Sequence, residues 1–160
     1  MGRLRGLGSF ALIAAGVLLV LRLLHVGVPL FFPDTRPGPF TLASLDEVQR
    51  RVGFAPLVPA YRPEALGARP SSLTVTLSPQ PTFVIVWRGE HYLSVTQRRG
   101  GAMPAHPAGS QPLPDVADST WWRDGSRHRL ALKRGEFWIE VETDLPSRDL
   151  KRIADTLTPY

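Results

Sequence analysis

The sequence predicts an α+β protein. It should carry a single N-terminal transmembrane helix, then one small domain. That domain should have a mainly antiparallel sheet of about five or six strands, with a short N-terminal helix and a C-terminal helix packed on it. Three observations predict this. One long apolar run, Leu7 to Phe32, sits close to the start. The rest holds several short segments of alternating or apolar residues separated by Gly/Pro turns. A helix-period pattern stands at each end of that remainder.

Leu7 to Val26 has the roughly 20 apolar residues needed to cross about 30 Å of hydrocarbon. Arg22 and His25 fall in its last turns, where such side chains can reach the headgroups. Arg3 and Arg5 precede it and no acidic residue occurs before Asp34, which points to a cytoplasmic N-terminus. The competing reading is a cleaved signal peptide, but RLLHVGVPLFFPD after Leu21 offers no small-residue cleavage pair. The expected organisation is a cytoplasmic tip at 1–6, an anchor at 7–32 with its core span at 7–26, a linker at 33–43 and an exported domain at 44–160. This places the protein in the inner membrane as a single-pass chain, with the lipid bilayer as partner of residues 7–26 and the domain outside.

The formal charge of +5 is misleading for that domain. Arg3, Arg5 and Arg22 belong to the anchor region and all fourteen acidic residues follow it, leaving sixteen basic against fourteen acidic residues, a net of +2. That is no electrostatic footprint for nucleic acid. The chain has no cysteine, so neither disulfides nor thiolate chemistry are available.

Ser44-Leu45-Asp46-Glu47 is a capping box opening a helix over Leu45 to Val52, and Gly53 is placed to end it. Phe54 to Pro70 carries four prolines and can follow only an extended or turning path, with Phe54, Leu57 and Tyr61 as core anchors. Leu73, Val75 and Leu77 alternate with hydroxyl residues as a half-buried strand. Phe83 to Trp87 and His91 to Thr96 form a hairpin across Arg88-Gly89 or Gly89-Glu90. Either loop puts Val84 and Val86 on the face of His91, Leu93 and Val95, and Phe83, Ile85 and Trp87 on the other. Such a strand, apolar on both faces, should be covered on both. Arg99 to Pro114 has four prolines and three glycines and reads as a mobile exposed loop.

Trp121 and Trp122 lead into the turn dipeptide Asp124-Gly125. The next hairpin should turn at Arg134-Gly135. It then pairs Lys133, Arg129 and Arg127 with Glu136, Glu140 and Glu142 on one face, around Ala131 and Trp138. The other face pairs Leu132, Leu130 and His128 with Phe137, Ile139 and Val141. Ser147 should cap a closing helix that buries Leu150, Ile153, Ala154 and Leu157 and stops at Pro159.

Three stretches together carry a resemblance: GFAPLVPAYRPE (Gly53 to Glu64), WRDGSRHRLALKRGEFWIEVET (Trp122 to Thr143) and the terminal LPSRDLKRIADTL. They resemble a family of exported bacterial domains of unknown function. That family occurs C-terminal to a single membrane helix in anti-sigma-factor-like and sporulation-associated proteins. The resemblance implies the fold and the outside location. It transfers no catalytic residue, and with so few residues before the anchor it implies no cytoplasmic anti-sigma part.

The side chains point away from catalysis. His91, His106 and His128 are far apart, and no metal-ligand spacing or cysteine pair accompanies them. No serine sits in a nucleophile elbow, and Arg98-Arg99-Gly100-Gly101 lacks the rest of a P-loop. Glu140 and Glu142 already face arginines. The expectation is therefore no catalytic, cofactor or metal residue, with Trp121 and Trp122 as the candidate interaction residues. Neighbours on a strand point to opposite faces, so at most one of the two is core by that strand's geometry; the other either packs under the long loop or stands exposed as a binding anchor. The predicted function is a non-catalytic, membrane-anchored extracytoplasmic domain that senses or binds a membrane or envelope protein. The alternatives are a carrier or sensor of apolar or lipid ligands using hairpin 83–95, and an exported enzyme.

Overall fold

The computed structural model describes residues 15–23, 38–77 and 79–160. The chain divides into two units, Met1–Pro37 and Gly38–Tyr160. In the first, residues 15–23 are helical (α1), and the apolar side chains Val17 to Leu21 and Leu23 are all more than half exposed. The remainder of the expected span, 7–14 and 24–26, lies outside the described residues. Among the described residues no helix is long and apolar enough to cross a membrane.

In the second unit, a seven-stranded sheet runs β1 (Phe40–Thr41), β3 (Ser72–Thr76), β4 (Thr82–Arg88), β5 (Tyr92–Arg99), β8 (Phe137–Thr143), β7 (Arg127–Arg134), β6 (Ser119–Asp124) across its width. Every pairing in it is antiparallel. Helices α2 (Leu45–Val52) and α3 (Ser147–Asp155), a one-turn 3-10 helix at Glu64–Leu66 and a two-stranded sheet of β2 (Leu57–Pro59) and β9 (Leu157–Pro159) complete the unit. The α+β character is as expected, but the strand count exceeds five or six. The additional strands are short. β1 arises in the stretch read as linker, where Leu42 N–H also donates to the Leu73 carbonyl at 2.8 Å. β2 arises among prolines, and pairs there with the C-terminal tail. Pieces of two or three residues lack an alternation long enough to be recognised, and only their partners make them strands.

Helix α2 forms as its sequence demands. Ser44 Oγ accepts from the Glu47 N–H at 3.3 Å, and Gly53 closes the helix with φ 73°. Glu47 reaches back one residue beyond the cap, accepting from the Ala43 N–H at 3.5 Å. α3 differs from expectation at both ends. Pro146, not Ser147, holds the cap position and no side chain caps the helix. At the other end the chain leaves the helix at Thr156, and Leu157 enters β9. Thr156 is the pivot: its carbonyl accepts from Ala60 N–H at 3.0 Å and its hydroxyl oxygen from Tyr61 N–H at 3.1 Å.

One face of the sheet carries the core. Leu73, Val75, Phe83, Ile85, Trp87, Leu93, Val95, Leu130, Leu132, Ile139 and Val141 meet Val48 and Val52 of α2 and Leu150, Ile153 and Ala154 of α3. Burying each such side chain contributes about 1.5–3 kcal/mol. A polar residue joins them. Gln97 is fully buried, and its side-chain oxygen accepts from Leu57 N–H at 2.7 Å while its amide N–H donates to the Leu57 carbonyl. The Gln97 side chain thus behaves as one more strand residue, fastening β2 to the main sheet. Phe54 and Leu57 are core residues as expected, and Tyr61 is half-buried.

Two hairpins depart from their expected registers. In β4–β5, Arg88 pairs with Tyr92, Trp87 with Leu93 and Ile85 with Val95, around a three-residue loop 89–91. The extra loop residue reverses the expected faces, so all the large apolar residues of the pair enter one core. The loop is held from outside: His91 N–H donates to the Ala65 carbonyl at 3.2 Å, and a Cβ on Gly89 would lie 2.3 Å from that carbonyl oxygen. Val84 and Val86 are left half-buried beside Thr74, Ser94 and Thr96 on the opposite face, so the strand is not enclosed on both sides. In β7–β8 the loop is Gly135-Glu136, not Arg134-Gly135. Partners shift by two and faces are preserved: Arg129 lies opposite Glu142, Leu130 opposite Val141 and Ala131 opposite Glu140. Gly135 has φ 57° at the first loop position, where a two-residue turn wants glycine. The β6–β7 turn does the same with Gly125-Ser126, Gly125 having φ 60°.

Candidate functional site

Strand β6 is an edge strand, and its alternation sends Trp121 and Trp122 to opposite faces. The more buried of the two is the one that points away from the core. Trp122 projects on the charge-ladder side with Arg129, yet it is buried. Trp121 shares the core side with Leu130, yet it is only half-buried, because the core thins at the edge. His128 packs beside Trp121 with ring centroids 6.2 Å apart, and its Nδ1 lies 2.9 Å from the Leu145 carbonyl.

What buries Trp122 is the long loop, which is anchored rather than loosely exposed. Trp138 Nε1–H donates to the Gly101 carbonyl at 3.0 Å, and Arg98 donates to the Ala102 carbonyl at 2.6 Å. Pro104 is buried, and the His106 ring lies 6.4 Å from that of Trp122. Farther along, Gln111 and Trp121 exchange both backbone hydrogen bonds, at 2.9 and 2.7 Å. Leu113 and Val116 then drop into the core, and Ser119 Oγ donates to the Val116 carbonyl at 2.6 Å. Asp115 and Asp118, with φ 62° and 49°, supply the tight reversals this needs.

Between the 107–111 turn and β6 lies a cavity of about 390 Å³. Its lining includes Trp121, Trp122, Arg123, Ser110 and Gln111. Both residues singled out from the sequence therefore reach one site, from two sides of one strand. Arg123, Ser110 and Gln111 escaped the sequence reading. The available signal was that Arg123, alone among the cations near the turn, has no acid opposite; its cross-strand partner is His128.

The other candidate chemistry stays dispersed. His91 Nδ1 lies 3.3 Å from Asp144, next to the start of β5 and the end of β8 and not on β6 with the Trp pair. Among the described residues no three His, Cys, Asp or Glu side chains group as metal ligands. The charge ladder is more knotted than one pair per rung. Arg129 reaches Asp124 at 3.2 Å, Glu140 at 3.4 Å and Glu142 at 3.1 Å, while Arg127 pairs with Glu142 and stacks over Tyr92 at 4.5 Å. That Glu142 contact raises the Arg127 pKa further. On the helix side, Tyr61 donates to Asp149 at 2.8 Å, with Arg152 over its ring at 3.9 Å. The hydrogen bond to Asp149 is the main cause that raises the Tyr61 pKa above 10.0.

Comparison with known proteins finds no family model and no curated relative that matches the chain.

Proposed function

We propose that this protein is a membrane-anchored extracytoplasmic domain that binds a membrane or envelope protein, and that it works by recognition and not by catalysis. The observation that carries the reading is the cavity at Trp121 and Trp122. Indoles beside an arginine with no acid opposite it, at a sheet edge, are the composition of binding hot spots. Its volume falls within the range of about 300–1,000 Å³ typical of ligand sites. The loop that makes the cavity is held by several hydrogen bonds, so the site is built before a partner arrives. The anchor is Leu7 to Val26, with the domain outside, and the resemblance to exported domains carried behind a single membrane helix belongs to the same reading.

Two measurements test it. Because the chain lacks cysteine, a single Ser126→Cys substitution at an exposed turn reports topology by membrane-impermeant labelling. Labelling of intact cells is expected; labelling only after lysis would overturn the outside placement. Trp121→Ala should abolish cross-linking to a membrane partner while the domain still melts cooperatively. Undiminished cross-linking would overturn the site.

A further inference from the structure

The outer edge of β6 is closed at one residue and open at the next. Trp121 spends its backbone N–H and C=O on Gln111, so these groups point away from β7. Antiparallel strands alternate bonded and outward positions, which directs the N–H and C=O of Arg123 to the same outer edge. Had the strand through Gln111 run on, Gly109 would lie across from Arg123. Instead Gly109 takes φ 91° and Ser110 N–H donates to the Pro107 carbonyl at 3.3 Å, which turns the chain off the edge. The cavity lies in the lane the turn leaves. Among the described residues the Arg123 backbone makes no hydrogen bond outside the strand ladder and its guanidinium forms no ion pair, the adjacent Asp124 carboxylate being met by Arg129 at 3.2 Å. That guanidinium makes one contact, Nε–H to the Gly125 carbonyl at 3.1 Å.

We propose that this lane receives the C-terminal end of a partner polypeptide, added as an extended segment antiparallel to β6. The inference rests on the binding reading above and names the chemistry of the partner. Main-chain bonds at an open strand edge supply affinity, and a side-chain pocket supplies choice. The direction selects a chain end. An antiparallel segment that pairs with Arg123 runs C-terminally into Gln111, which already holds the next position on β6. A polypeptide that stops there places its terminal carboxylate at the Arg123 N–H, within reach of a guanidinium fork suited to hold it by two bonds. The last side chain lies on the face of Trp121, because residues opposite and diagonal across a pair share a face. It therefore enters the cavity, where an apolar group fits the indoles.

The test uses the full chain in detergent micelles, panned against phage carrying random peptides at a free C-terminus. An enriched peptide is then synthesised as the acid and as the C-terminal amide. The acid should bind, with the amide about 10-fold weaker or more, a loss of about 1.4 kcal/mol. Arg123→Glu should weaken the acid similarly without changing the melting temperature. Arg123→Pro removes the outward N–H where no ladder bond is lost, and should also weaken it. Equal binding of acid and amide overturns the proposal without relying on any variant, as does a failure to enrich. If enrichment fails while cross-linking still depends on Trp121, the partner chemistry named here falls and the binding reading stands. If both are lost, both fall.

Discussion

The β4–β5 and β7–β8 hairpins share one sheet and each turns at a glycine, but the glycines are required for different reasons. Gly135 has open space around its Cα and a left-handed backbone, φ 57°. Gly89 has an ordinary backbone but no room, since a Cβ would meet the Ala65 carbonyl oxygen at 2.3 Å. The first requirement is local and belongs to the turn. The second is imposed by a segment more than twenty residues earlier in the chain. The contrast explains the two registers. Where the turn is governed by its own glycine, partners lie two positions from expectation and each side chain keeps its face. Where a distant segment governs the turn, the loop is one residue longer and the faces are exchanged.

Substitutions at four positions test this contrast. The largest effect is expected from Leu130→Ala, which empties a fully buried site on the core face of β7. It should cost about 2–5 kcal/mol in denaturant unfolding. Gly89→Ala comes next, at about 1–3 kcal/mol, because backbone must move to admit the methyl group. It should also loosen His91, read out as faster hydrogen exchange at that amide. Gly135→Ala should cost about 1–2 kcal/mol through its left-handed conformation alone, and Gly135→Asn should recover part of that, since asparagine tolerates this region. A Gly89→Asn substitution should recover nothing, which separates the two causes. The smallest effect is Arg129→Ala, within about 1 kcal/mol. Its three acidic neighbours are all partly exposed and solvent screens such pairs. A loss approaching that of Leu130→Ala would show that the charged face supports the hairpin as strongly as the apolar one.

The site was legible only in part. Trp121 and Trp122 stood out because two adjacent indoles on a strand cannot both enter one core. That the outward indole packs under the long loop was within reach of the sequence; that Trp122 is that residue and that His106 lies against it was not, because the path of the loop is not written in β6. Arg123 and Gln111 matter through an open backbone edge, and backbone groups leave no mark in side-chain patterns.

Periods of two and of 3.6, capping residues and turn glycines determined the α+β class, helix α2, the body of α3 and the longer strands of the sheet, since each depends on neighbours within a few residues. Tertiary structure alone decided the short strands β1, β2 and β9, the burial of Gln97 against Leu57, the faces of β4 and β5, and the cavity beside β6. Each of these depends on a partner distant in the chain. The physical reason is that a hydrogen-bonding group or an apolar side chain specifies what it needs, while which distant segment supplies it is settled only when the whole core closes.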